Sequence, residues 1–440
     1  MNSTRLLASA SLALCVLLPA PARARVQTSP ADKQHPATRR KYANPLNALL
    51  EEAQAAIERQ DFPSALAPLQ KLTAEQPDFA YGFFELGYVY IALERWDEAR
   101  AALLRAIALD PKLSEAHLNL GTLLLDRDPP AAVAPLRKAV ELLPAQSRPR
   151  YLLGLALERT DDFPGAIESL QSAARLDPGD LETRLALARV LLRAEKFSAA
   201  ESAARTALSL APDSAPAQLA FAHALDAQQK PDAAAAYRRY LELQPAGRDA
   251  LFRLATLLFE QKQYDDSLAA LDRLDDGKPP STDSLLLRAD IQVAQSRWDA
   301  AILTLQQALQ QDPSRHALRA GLGRLFLQKR DFPSAERELL LVVRADAKNL
   351  AAWKDLSTTY YLQKNCPAAL AALEQVARQE PLVPGAWFVR ATCYDRLEQA
   401  AAAIEAYQKF IDVDKGQDAN QIWQSQQRLI VLRKRLAGKR

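Results

Sequence analysis

The chain has 440 residues, 49% hydrophobic and 25% charged, with 56 basic residues against 53 acidic and a formal net charge of +3. So even a balance argues against a nucleic-acid or acidic-membrane partner for the chain as a whole. Apart from one apolar run at the N-terminus, no stretch is long and apolar enough to span a membrane, so a soluble chain is expected once that run is removed.

Residues 1–24 read as a secretory signal peptide. Arg5 gives a short basic start, Leu6 to Leu18 is apolar, and Ala20, Ala22 and Ala24 offer small residues at cleavage spacing. Cys15 follows Leu14 inside the apolar run, a poor match to a lipid-attachment site. Loss of Arg5 and Arg23 would leave 54 basic residues against 53 acidic. Residues 25–45 are rich in Pro, Arg, Lys and Thr, the composition of a flexible linker. Export to the periplasm or the medium is the expectation.

From residue 46 a period of about 34 takes over. Ala65, Ala99, Ala132, Ala166, Ala200, Ala233, Ala301, Ala335, Ala369 and Ala403 keep step, with Ser267 filling the gap. A proline follows about twelve residues later, from Pro77 and Pro111 to Pro313 and Pro381. A second small residue precedes each alanine, as Gly87, Gly121, Gly154, Ala188, Ala222, Ala255, Ala289 and Gly323. Large apolar residues three or four positions away complete one helical face. Such a period holds two short antiparallel helices that meet through small residues and end at proline. The predicted fold is all-α: a right-handed α-solenoid, or superhelix, of stacked antiparallel helix pairs.

On these residues the chain resembles a tetratricopeptide repeat (TPR) protein. Eleven units are read, starting near Leu46, Ala80, Ser114, Ser147, Leu181, Ala215, Arg248, Thr282, His316, Leu350 and Pro384 and spanning 46–416. The units at Ser114 and Ala215 are one residue short between their helices. Ala347 and Lys415 replace proline, and Glu52 and Arg288 replace leucine.

Residues 417–440 read as a capping helix and basic tail, with six basic and no acidic residues from Ala419 onward. Its plain role is to cover the last repeat, and a membrane- or polyanion-binding tail is the alternative. Cys366 and Cys393 fall on helices expected to be antiparallel neighbours. They are either a disulfide, given export, or two buried thiols.

No catalytic motif is found. His35, His117, His223 and His316 are scattered over distant units, no metal set assembles, and Gly321 and Gly323 lie within a repeat helix and not in a phosphate loop. No enzyme activity, cofactor or metal is expected. The resemblance implies binding along a groove lined by the first helix of each unit. Its candidate anchors are Tyr81, Phe84, Tyr88, Tyr151, Arg159, Arg189, Arg193, Phe252, Lys354, Tyr361 and Phe388, with Tyr81 and Phe84 expected to be exposed. The Lys and Asn pattern of chaperone-tail clamps is missing. The expected role is a protein-interaction scaffold in a bacterial cell-envelope assembly or secretion process. The alternative is a polysaccharide-binding module of an exopolysaccharide secretion system, stacking sugars on groove aromatics. RNA reading is opposed by the charge balance and the export signal.

Overall fold

A computed structural model describes residues 45–437. The signal peptide and nearly all of the linker therefore lie outside the described residues. The chain divides into two compact units that meet in sequence at Gly247 and Arg248. Among the described residues there are helices and no strand.

The first unit pairs α1 (Pro45–Glu58) with α2 (Phe62–Glu75), α3 (Ala80–Ala92) with α4 (Trp96–Leu109), and α5 (Ser114–Leu125) with α6 (Pro129–Leu142). It continues with α7 (Ser147–Arg159) and α8 (Phe163–Leu176), α9 (Leu181–Arg193) and α10 (Phe197–Leu210), and α11 (Ala215–Ala227) and α12 (Ala233–Leu243). The second unit pairs α13 (Arg248–Glu260) with α14 (Tyr264–Asp275), α15 (Thr282–Ala294) with α16 (Trp298–Gln311), and α17 (His316–Gln328) with α18 (Phe332–Ala345). Then come α19 (Leu350–Leu362) with α20 (Cys366–Ala377), α21 (Pro384–Arg396) with α22 (Ala400–Asp414), and the single α23 (Ala419–Ala437). Within each unit every hairpin packs on the next, and several first helices also touch the following first helix, as α5 does α7 and α17 does α19. Each unit is thus an α-solenoid, the expected fold class.

The repeated glycine and leucine make the hairpin seam. A methyl group on Gly121 would stand 2.4 Å from Leu136 Cγ, and one on Gly323 would stand 2.6 Å from Leu339 Cγ. Gly87 and Gly154 meet Leu103 and Leu170 in the same way. These four leucines are fully buried, each contributing on the order of 1.5–3 kcal/mol of burial.

Local chemistry sets the hairpin ends. Asp61, Asp162 and Asp331, each before Phe-Pro, accept a hydrogen bond from the backbone N–H three residues on and start α2, α8 and α18. Asp128 and Asn365 do the same for α6 and α20. The turn inside ten of the eleven hairpins passes through a left-handed residue, at Gln60, Glu94, Asp161, Glu195, Gln229, Lys262, Ser296, Arg330, Lys364 and Glu398, none of them glycine. Each lets the next N–H bond back to a carbonyl five residues earlier, as Arg95 does to Tyr90 at 2.8 Å. Between hairpins, the Asp-Pro pairs form side-chain turns. The Asp110, Asp177 and Asp312 carboxylates each accept the N–H two residues on.

The two shortened units differ in where the residue is lost. The turn between α5 and α6 drops the left-handed position, and Asp128 N–H bonds the nearer Leu124 carbonyl at 2.7 Å. The unit at Ala215 keeps Gln229 and instead loses the first turn of α12, which has 11 residues where α10 has 14. Of the two leucine replacements, Glu52 is exposed, while Arg288 reaches Asp272 at 2.8 Å and Asp275 at 3.1 Å.

Candidate interaction groove

The groove aromatics of the first unit are largely inside it. Phe84, expected to be exposed, is 3% accessible, and its ring lies 5.6 Å from that of Tyr81. Two large side chains so near each other exclude water better stacked than splayed, which corrects the expectation for Phe84. Tyr81 is half-buried. Tyr88 is buried edge-on against Phe62 at 6.1 Å, and burial, then the nearby Glu85, raises its pKa. Tyr151 is buried beneath Arg148, and desolvation, followed by the charge of Glu182, pushes its phenol up to about 12. Phe84, Tyr88 and Tyr151 are thus buried, and Tyr81 keeps part of its surface open.

The arginines expected to meet a ligand are engaged by their own chain. Arg189 on α9 forks onto Glu158 of α7, Nε to Oε1 at 2.8 Å and Nη2 to Oε2 at 2.5 Å. Arg193 spans Glu158 at 3.4 Å and Asp161 at 2.8 Å. Arg159 bonds the Leu125 carbonyl and pairs with Asp126 at 2.7 Å. Burial works against the Arg189 charge, but the two Glu158 bonds outweigh it and raise its pKa. The result is a ladder of ion pairs linking α5, α7 and α9. Glu158, Asp126 and Asp161 were not singled out from sequence. Writing the chain in rows of one period would reveal them, because each carboxylate stands 31–35 residues before its arginine.

In the second unit, Phe252 is half-buried on α13. Arg324 and Asp355 make the same kind of rung, α17 to α19, at 3.0 Å. Burial raises the Asp355 pKa against the opposing pull of Arg324. Arg396 stacks over Tyr361 at 5.1 Å, and Phe388 packs 5.3 Å from Phe410. Lys354 behaves differently. Its ammonium pairs with Glu380 at 2.5 Å, on the rim of a cleft of about 240 Å³. Leu373, Val376, Val383, Ala386 and Val389 give the cleft apolar walls, and Ser357 and Thr358 add hydroxyls. The cleft lies beside a longer connection: α20 stops at Ala377 and six residues, 378–383, lead to α21, where four is usual.

A larger cleft of about 520 Å³ lies in the first unit over α10, α11 and α12, where α12 lacks its first turn. Most of its charges are paired within the chain. Glu201 is held down to about 2, chiefly by Lys230 at 2.6 Å with help from Gln228 and Arg205, and Arg239 is shared between Asp213 and Glu242. Cys366 and Cys393 are both buried free thiols. Burial, and then a hydrogen bond with Cys366, pushes Cys393 up to about 12. Among the described residues no three His, Cys, Asp or Glu side chains gather as for a metal, and no helix is long and apolar enough to cross a membrane.

Sequence comparison agrees with the hairpin architecture. A family model described as tetratricopeptide repeat matches residues 159–220 and 292–359, and a second so described matches 118–180, 219–282 and 355–420. A TPR repeat model matches 87–126. No curated protein matches the chain. Among solved structures it is similar to MamA 41-end from Desulfovibrio magneticus RS-1, 21% identical over 39% of this chain and 98% of that one, with a TM-score of 0.37. It is also similar to YrrB, described as a TPR protein with an unusual peptide-binding site, 18% identical over 44% and 97%, with a TM-score of 0.39. The Cut9–Hcn1 hetero-tetramer of APC/C is 15% identical over 88% and 96%, with a TM-score of 0.36. With its small-residue seams, its hairpins and these repeated matches, the chain belongs to the tetratricopeptide repeat family.

Proposed function

We propose that the protein is a non-catalytic scaffold whose eleven hairpins are eleven repeats. Its first-helix face in the second unit receives a segment of a partner protein. The cleft between α19 and α21 carries this reading. At about 240 Å³ it lies below the range of small-molecule sites, roughly 300–1,000 Å³, yet suits one or two apolar side chains. Lys354 and Glu380 pair on its rim and give the apolar walls a polar edge, as at the border of a protein interface. The signal-like N-terminus supports an exported, periplasmic protein working in a cell-envelope assembly or secretion process. Filling the cleft with Ala386→Trp should deplete the partners cross-linked in native envelope, whereas Tyr81→Ala should leave them unchanged. Unchanged partners with Ala386→Trp would reject the cleft as the site.

In the exported form, Cys366 and Cys393 are proposed to be joined as a disulfide. Because both are buried, the bond would form during folding by two exchanges with an external protein disulfide, which is reduced to a dithiol as the Cys366–Cys393 bond closes. Peptide maps of exported protein with and without reductant should show a linked pair, and free thiols at both positions would refute it.

A further inference from the structure

The outer face of α23 breaks the rule that a solenoid ends in a polar surface. Its inner face is ordinary. Leu429 and Leu432 are buried against Ala391, Ala403 and Tyr407, and Arg428 forks onto Asp395 with both bonds at 2.7 Å. Arg435 adds a pair with Glu398 at 3.4 Å, and Arg433 bonds the Gln408 amide at 3.1 Å. The helix is thus pinned to α21 and α22, and its other side is fixed outward. That side carries Trp423, Ile430 and Val431, exposed by 62%, 63% and 51%. Trp423, Gln427, Ile430 and Lys434 follow steps of four, three and four, so they form one line along the helix. Lys434 is exposed and makes no ion pair among the described residues. From Ala419 to Ala437 there are four basic residues and no acidic one.

We infer that α23 is a peripheral docking helix for an anionic lipid surface. Arg428 and Arg435 are compensated by Asp395 and Glu398, so the charge of Arg433 and Lys434 is left over, and it selects an acidic partner. The shape selects a soft one: the apolar side chains stand on a convex ridge, so a protein partner would have to supply a matching groove, whereas a headgroup layer yields to them. A Trp beside aliphatic residues and lysine is the composition of helices that lie in the membrane interface. At 19 residues α23 is about 28 Å long and lies along the surface. Each basic residue near an anionic surface strengthens binding severalfold at low salt.

The test is co-sedimentation of the purified chain with vesicles of phosphatidylglycerol and phosphatidylcholine in equal parts, beside phosphatidylcholine alone. Binding to the anionic vesicles is expected, weakening as salt is added. Trp423→Ala with Ile430→Ala should reduce it roughly tenfold, and Lys434→Glu should reduce it with the apolar residues intact. All three positions are exposed, so circular dichroism should be unchanged. No binding to anionic vesicles overturns the inference. So does binding that both variants retain, which would place the lipid contact elsewhere in the chain. Equal binding to neutral vesicles overturns the charge argument. Capture of an acidic peptide without vesicle binding would assign the ridge to a protein.

Discussion

Residues 45–247 and 248–437 are built from one hairpin, with the same seam at Gly121 and Leu136 in the first unit and Gly323 and Leu339 in the second. They differ in how neighbouring hairpins are joined. Inside the first unit every connection between hairpins has four residues, and the ion-pair ladder of Arg159, Arg189 and Arg193 closes over the first helices. In the second unit two connections have six, at 276–281 and 378–383. One gap is occupied by Arg288 bridging Asp272 and Asp275, and the other stays open as the Lys354 cleft. Equal connections thus end differently: what stands beside the gap, Arg288 at one and apolar walls at the other, separates a filled repeat surface from an open one, while the seam is left untouched.

The largest expected effect is on the sealed wall. Glu158→Ala strands Arg189, whose side chain is 14% exposed, and should destabilise the first unit by about 3–5 kcal/mol in urea. Replacing Glu158 and Arg189 together by leucine should cost far less, because no buried charge is then left alone. A small loss in Glu158→Ala would show the ladder to be decoration. Next come the seams. Gly121→Ala and Gly323→Ala should each cost about 1–3 kcal/mol by overpacking, and each should shift only the transition of its own unit. A single shared transition for both variants would merge the two units into one cooperative body.

The smallest effect is one of pH. The Tyr151 phenol titrates at about 12 in the folded chain, above its ordinary value of 10.0. The stability it contributes is therefore complete below pH 10 and lost as pH rises toward 12. In Tyr151→Phe the first unit should keep more of its stability across that range. Equal alkaline loss in both proteins would place the titrating group elsewhere.

The hairpins were legible because their chemistry recurs. A small residue recurs at every pass of the period, with a leucine fifteen or sixteen on and a proline at most of them. The groove was legible only as a set of positions. Phe84 and Tyr151 occupy first-helix positions that can face outward, and which way they face is not set by spacing alone: Tyr81 and Arg148, each three residues earlier, lie against them. The arginines were read as anchors because each was considered alone, whereas Glu158 and Asp161 lie 31 and 32 residues before their partners. The cleft lies beside a connection lengthened because α20 ends two residues sooner than α18 does, and the unchanged 34-residue spacing of Ala335, Ala369 and Ala403 gives no sign of it.

Ten residues other than glycine hold the left-handed turns inside the hairpins. Each carries a backbone penalty on the order of 1–2 kcal/mol that a bare Cα would largely avoid. The protein therefore has unclaimed thermal headroom, spread over its length in small independent shares. An engineer seeking a hardier version could draw on it turn by turn, without altering the sealed wall, the open cleft or the ridge of α23.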